Sequence, residues 1–361
     1  DSRYFNMYNH YNDVGAYNSK QSPYYSWYKF INWPDDYHSW WGIKLLPEVI
    51  EEDESYRNYI CGKNGILKKW LKCGIAGYRL DVADELPDIF LDDLRKSVKS
   101  ENPNAIIIGE VWEDATNKFA YGQRRKYLLG EELDSVMNYP FADAVLDFVR
   151  FANGDSFFNS VMSIVENYPP QVLSVLMNHI GTHDTVRAIT RLVGENPDGH
   201  DRTWQFEHNT LSKFDYLRGV SMMKIASLIQ FTLPGVPSIY YGDEIGMQGM
   251  KDPFNRGCMA WDDVNDELLK WYKRLGQIRH SSKAFINGDF EKVYCDGGVI
   301  AYSRNCESDS VLLAINNSNE SKKIFVGTQW DNSYSLFDEI CVDGFITLPP
   351  YRYTLVSKQN K

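Results

Sequence analysis

Apolar positions along the first half of the chain change period in a regular way. Residues 1 to about 45 show little periodicity and are rich in Tyr, Asn, Asp and Trp, which predicts an irregular excursion from a scaffold. Over 55–73 the apolar residues Ile60, Leu67, Trp70 and Leu71 fall on one helical face, and Gly74 stops the pattern. A strand is predicted at 75–81. Pro87 then opens a helix at a position where the missing N–H costs nothing. Its buried stripe is Phe90, Leu94 and Val98, and Asn102-Pro103-Asn104 ends it before a second strand at 105–110. A helix between two apolar strands is a βαβ unit, and its crossover forces the strands to run parallel.

The alternation continues with short strands at 135–139, 174–178 and 236–241. Helices are predicted at about 141–151, 156–167, 215–232 and 264–279. From about 284 the helical period disappears. Segments 290–294, 298–304, 310–316, 322–326 and 344–357 favour β-branched and aromatic residues, with Asp-Gly or Asn-Ser turns between them, and predict a small antiparallel β-sandwich. Five parallel strands are too few to close a (β/α)8 barrel, which has eight. Either the sheet is open, or three βα units lie upstream of residue 1.

Composition narrows the classes of partner. The chain has 361 residues and a formal net charge of -11, with no dense basic stripe. Nucleic acid is therefore excluded as an expected partner, because phosphate binding relies on clustered Lys and Arg. Aromatic residues make up 14% of the chain. Aromatic planes cover the apolar C–H faces of sugar rings, although most such residues in any protein serve the core. The six cysteines form no C-x-x-C pair and no zinc spacing, which predicts reduced thiols and a cytoplasmic setting. No stretch is long and apolar enough to span a membrane. No Gly-rich phosphate loop or G-x-S-x-G elbow occurs in a fitting context, so neither nucleotide binding nor Ser-His-Asp hydrolysis is supported.

Chemistry concentrates in Gly77-Tyr78-Arg79-Leu80-Asp81-Val82-Ala83-Asp84-Glu85 and in Glu110, which ends the next strand. Side chains on a strand alternate, so Arg79 and Asp81 point the same way. Taken alone they read as a structural ion pair. A second carboxylate at the end of the neighbouring parallel strand changes that reading, because a retaining glycosidase sets an acid and a nucleophile about 5–5.5 Å apart around one sugar carbon. Asp81 is the candidate nucleophile, held ionised by Arg79. Glu110 is the candidate general acid/base, since of two competing negative charges one resists ionising. Asp184, preceded by His183, follows the strand at 174–178. Both are candidates for holding the hydroxyls of the reacting sugar. Asp252 and Arg256 lie in the Gly-rich loop after the strand at 236–241. They read equally well as an i,i+4 ion pair or as recognition groups for a neighbouring sugar.

Together these segments resemble the α-amylase family of glycoside hydrolases. Gly77 to Ala83 resembles its nucleophile strand, Gly109-Glu110-Val111-Trp112 its acid/base strand, and Thr182-His183-Asp184 its third-acid motif. The neopullulanase, cyclomaltodextrinase and maltogenic amylase branch is closer still. Val82-Ala83-Asp84-Glu85 resembles a V-A-N-E stretch there. Val136 to Phe141, Tyr241 to Met247 and Lys251-Asp252-Pro253-Phe254-Asn255-Arg256 are similar to its other motifs, and Leu46-Pro47-Glu48 resembles a marker of the domain inserted after the third barrel strand. Asp84 stands where the branch has Asn, and Glu113 where His is common.

The resemblance implies a TIM-type (β/α)8 α/β fold, here lacking the first three strands, followed by an antiparallel β-sandwich. Residues 1–48 would be a remnant of the inserted domain B, 49–282 a partial catalytic barrel carrying strands four to eight, and 283–361 the sandwich. The chain would be a C-terminal fragment that starts after the third barrel strand, because the family's D-x-x-x-N-H motif is absent. The fragment would also lack the second substrate-contacting His and the aromatic platform of that part.

The implied activity is retaining hydrolysis of α-1,4 or α-1,6 glucosidic bonds in maltooligosaccharides, cyclodextrins, pullulan or starch. Asp81, Glu110 and Asp184 would be catalytic, while Arg79 and His183 support them. Asp252 and Arg256 would hold the glucose toward the non-reducing end, and Asp84 and Glu85 would lie on the leaving-group side. A catalytically inert amylase-like fragment, or an α-glucan-binding module, is the alternative. The chemistry requires no cofactor. The resemblance admits a calcium ion near the inserted domain and a homodimer, and it leaves metal ligands unassigned.

Overall fold

A computed structural model describes residues 2–120, 122–337 and 341–359. The chain forms two compact units, Asp1–Glu110 with Asn117–Asp134, and Val111–Thr116 with Ser135–Lys361.

In the first unit the N-terminal segment is less irregular than its sequence predicts. Phe5, Ala16, Trp27, Tyr28 and Tyr37 form a buried cluster, with Tyr4, Tyr24, Phe30, Tyr56 and Tyr59 packed against it. A short antiparallel pair, Phe30–Asn32 with Asp36–Tyr37, and isolated bridges from Tyr28 to Val49 and Ser39 to Pro47 hold the loops. Aromatic edge-to-face packing supplies what hydrophobic periodicity does not signal, because each ring buries a large area wherever it falls in the chain.

The helical pattern over 55–73 proves to be two helices, Glu54–Cys61 and Ile66–Lys72. Asp53 caps the first by accepting from the Tyr56 N–H at 2.9 Å. Gly62 and Gly65 separate them: a Cβ on Gly62 would come within 2.3 Å of the Asn58 carbonyl oxygen. The helix Asp88–Glu101 follows Pro87 and buries Phe90, Leu91, Leu94 and Val98. It connects the parallel strands Gly77–Leu80 and Ile106–Gly109, paired in register Tyr78 to Ile107 and Arg79 to Ile108. Gly77 is required by that pairing, since a Cβ there would meet the Ile106 carbonyl oxygen at 2.0 Å.

In the second unit the parallel strands are shorter than predicted: Ser135–Val136, Met177–Asn178 and Val236–Pro237. Pro237 has no N–H to extend its ladder. Asn178 compensates inside the core. It accepts from the Asn138 amide at 2.9 Å and donates to the Pro234 carbonyl at 2.6 Å. The Gln230 amide donates to the Asn178 and Ser238 carbonyls. Helices Tyr139–Phe151, Gly154–Asn167, Lys213–Thr232 and Asp266–Ser281 surround them, each begun by an Asn or Ser side chain that accepts a backbone N–H. Three short helices, Pro170–Leu173, Ala188–Val193 and Arg202–Glu207, carry too few turns to register as a period.

The C-terminal strands form two sheets. One runs in the order Asp289–Asp296, Val299–Asn305, Asp309–Asn316, Arg352–Gln359 and Tyr334–Ser335, and the other pairs Lys322–Phe325 with Phe345–Leu348. The region 344–357, predicted as one strand, turns at Pro349-Pro350-Tyr351 and contributes to both sheets. The strand Val299–Asn305 is buried on both faces. Val299 and Ala301 meet the sandwich core, while Tyr302 and Arg304 serve the helix Lys213–Thr232. The hydroxyls of Tyr302 and Thr232 lie 2.6 Å apart, and buried Arg304 donates to the carbonyls of Thr232 and Gly288. Among the described residues no helix is long and apolar enough to cross a membrane.

Candidate active site

In the first unit the backbone brings two carboxylates to one guanidinium. The Glu110 N–H donates to the Leu80 carbonyl at 2.9 Å, and the Ala83 N–H returns a bond to the Glu110 carbonyl at 3.1 Å. The parallel register therefore continues past the end of the strands and sets the Asp81 and Glu110 positions side by side. Arg79 donates through Nη1 to Asp81 Oδ1, and its Nη2 lies 3.0 Å from Glu110 Oε2. The Val82 N–H donates to the same Glu110 oxygen at 2.9 Å. Val82 takes a left-handed conformation, φ 40° and ψ 50°. A β-branched residue resists that region, so local strain is retained where the backbone N–H meets the carboxylate.

The two carboxylates differ in access. The Asp81 side chain is 72% exposed and that of Glu110 only 6%. Asp81 lines a cavity of about 950 Å³ together with Tyr8, His10, Trp40, Leu46 and Pro47. An open carboxylate beside a recessed, doubly braced one is the geometry in which one group can attack and the other can exchange a proton.

Asp84 and Glu85 diverge just beyond. Asp84 is engaged by Lys118 at 2.8 Å, and its carbonyl accepts from Arg125. Glu85 is exposed, accepts from the Trp40 indole N–H at 3.2 Å, and lines a separate cavity of about 510 Å³ with Glu48, Glu51 and Glu52. Burial, with help from neighbouring acids, pushes Glu51 up to about 7.

In the second unit His183, Asp184, Asp252 and Arg256 come together. Arg256 Nη2 lies 3.1 Å from Asp184 Oδ1 and 3.5 Å from Asp252 Oδ2, and its Nε donates to the His183 carbonyl at 2.9 Å. His183 Nε2 lies 3.1 Å from Asp184 Oδ2. The i,i+4 pair expected from sequence therefore exists, but the same guanidinium also braces an acid 72 positions away.

Several contributors here were given no role by the sequence, although some lie inside its motifs. Fully buried Asn255 donates to both the His183 and Thr185 carbonyls at 2.7 Å and fixes the loop. Arg187 and Asp243 form a buried pair at 3.7 Å, and burial pushes Asp243 up to about 7. A Cβ on Gly181 would approach Asp243 to 2.6 Å, so the loop carrying Asp184 rests directly on that carboxyl. Asp184 also lines a cavity of about 640 Å³ with Trp112, Tyr139 and His179. Trp112 and Tyr139 stack at 4.1 Å. His179 is 2% exposed, and burial drives it down to about 3, so it stays neutral.

Residues 4–284 match the α-amylase catalytic domain, and residues 288–333 the α-amylase C-terminal domain. The chain belongs to the α-amylase family. It is 32% identical over 321 residues to a cyclomaltodextrinase of Thermoanaerobacter pseudethanolicus, covering 86% of this chain and 50% of that protein. An amylopullulanase of Thermoanaerobacter thermohydrosulfuricus is 32% identical over 373 residues, covering 91% of this chain and 24% of its own length. The native form of a Nostoc punctiforme debranching enzyme superposes with a TM-score of 0.80 at 26% identity, over 96% of this chain and 72% of that one. This α-amylase family chain thus spans half or less of the length of these two curated relatives. Among the described residues, no group of three or more His, Cys, Asp or Glu side chains is arranged to hold a metal ion.

Proposed function

We propose that this chain carries the catalytic machinery of a retaining α-glucan hydrolase. The observation that carries the reading is the shared guanidinium: Arg79 holds an exposed Asp81 and a recessed Glu110 at the ends of adjacent parallel strands. Asp81 attacks the anomeric carbon while Glu110 gives its proton to the leaving oxygen. Glu110 then takes a proton from water, which displaces Asp81 from the glycosyl intermediate. Two inversions retain the configuration. In the second unit Asp184, set by His183 and Arg256, is a carboxylate able to accept hydrogen bonds from sugar hydroxyls. Family membership supports an α-glucan as substrate. The cyclomaltodextrinase and amylopullulanase relatives support cyclodextrin, pullulan and starch as the first substrates to try. The scattered cysteines, with no C-x-x-C pair among them, support a reducing compartment.

The test is incubation of the purified chain with maltoheptaose, β-cyclodextrin, pullulan and starch, with products separated by chromatography and their anomeric form read by NMR. Release of α-anomeric sugars that Asp81→Asn abolishes is the expected result. Binding without turnover favours the inert binding module instead.

A further inference from the structure

Trp41 sits in an unusual way for an exposed residue. Its side chain is 80% exposed, yet one face of the indole is covered by Trp40, with ring centroids 4.8 Å apart and planes within 14°. The opposite face is open. The backbone holds Trp41 left-handed, φ 52° and ψ 28°. A bulky L-residue is strained in that conformation, and a fold gains nothing by keeping the strain for a solvated ring. The loop is nevertheless tightly made. The Trp40 N–H donates to the Leu46 carbonyl at 2.9 Å, the Ile43 N–H to the Trp40 carbonyl at 3.0 Å, and Ser39 bridges Pro47. Trp40 is fixed in turn by its indole bond to Glu85, and it lines the same cavity as Asp81. The two indoles thus form a continuous aromatic strip that begins in the nucleophile's cavity and ends at an open face outside it.

We propose that Trp41 is an outlying stacking platform for an α-glucan chain, taking a glucose unit beyond those held in the Asp81 cavity. The proposal rests on the α-glucan reading above. A pyranose ring offers a C–H face of about the size of an indole, and a rigid, pre-oriented ring loses little entropy on covering it. A helical or branched glucan continuing out of the cavity past Trp40 would meet Trp41 next. Short oligosaccharides that end inside the cavity would not.

The experiment uses the full chain in an Asp81→Asn background, so that binding is read without turnover. Retardation by soluble starch in affinity gel electrophoresis is compared with the calorimetric Kd for maltotriose. Trp41→Ala should weaken starch binding about tenfold more than maltotriose binding, and Trp41→Phe should restore most of the loss. Equal losses for both ligands, or starch retardation unchanged in Trp41→Ala, overturn the proposal. Failure of the unsubstituted chain to be retarded by starch also overturns it. If the wild-type chain binds starch through Trp41 but turns nothing over, the platform stands and the catalytic reading alone falls. A shift from dimer to monomer in Trp41→Ala, with starch binding intact, would mean the face contacts a second copy, and the proposal fails.

Discussion

Arg79 reaches Glu110 across the strand pair, Nη2 to Oε2 at 3.0 Å, while its other amino group holds Asp81. A planar fork points two amino groups at two carboxylates in fixed directions, which a single flexible ammonium does not reproduce. Replacing Arg79 with Ala is expected to lower kcat on a maltooligosaccharide by about 100- to 1,000-fold, the usual cost of one pre-set electrostatic contact. Arg79→Lys should recover little of it. If Lys restored wild-type kcat in a reducing-sugar assay, charge alone would suffice and the fork would be irrelevant.

Arg256 and Asn255 act on the same loop by different means, and their variants should separate. The Arg256 side chain is 42% exposed, so its ion pairs add little stability. Arg256→Ala should leave the urea midpoint almost unchanged and reduce kcat/KM about 10- to 100-fold as Asp184 loses its brace. Asn255 is buried, and Asn255→Ala removes two donors from the loop, so it should cost about 1–3 kcal/mol in a urea melt.

The same two residues show what the sequence carries. Arg256 was legible because a motif and an i,i+4 spacing both single it out, yet its bond to Asp184 joins loops far apart in the chain. Asn255 sits inside the same motif without a charge to mark it. Strand 106–109 was legible because Ile106, Ile107 and Ile108 make an apolar run, and strand 77–80, which is only partly buried, through the motif that runs from Gly77 to Glu85. The 30s hairpin and its aromatic cluster were not, because they lack either period and depend on rings meeting from distant positions. The break at Gly62 was written in the sequence, but the apolar stripe continues across it and masks the interruption.

His179 should make the second unit sensitive to acid. Burial lowers it from the ordinary 6.5 to about 3, and among the described residues neither ring nitrogen has a hydrogen-bond partner. The folded chain therefore refuses a proton that the unfolded chain accepts. Stability is fully present above pH 6.5 and is lost as pH falls toward 3, by up to about 4–5 kcal/mol for this group alone. His179→Leu should flatten that slope in urea melts taken at pH 4 to 7. It should not destabilise the fold at pH 7, because it removes two orphaned polar atoms. An unchanged slope would mean the imidazole is not the group that titrates.

Glu132 predicts the opposite slope in the first unit. It is fully buried, and neither carboxylate oxygen has a hydrogen-bond partner among the described residues. Burial pushes it from 4.5 up to about 7; Asp88 adds to the rise, while Arg125 and Lys126 oppose it. Here the folded state keeps a proton that the unfolded state gives up. The contribution is fully present below pH 4.5 and is lost as pH rises through about 7. Glu132→Gln preserves the shape and cannot ionise. It should match wild type at pH 4.5 and exceed it at pH 8, by up to about 3 kcal/mol, in urea melts. Equal stability of the two proteins at pH 8 would mean that Glu132 ionises without cost, and that Arg125 and Lys126 compensate it fully despite the 3.9 and 4.0 Å at which Lys126 stands from Asp92 and Glu131.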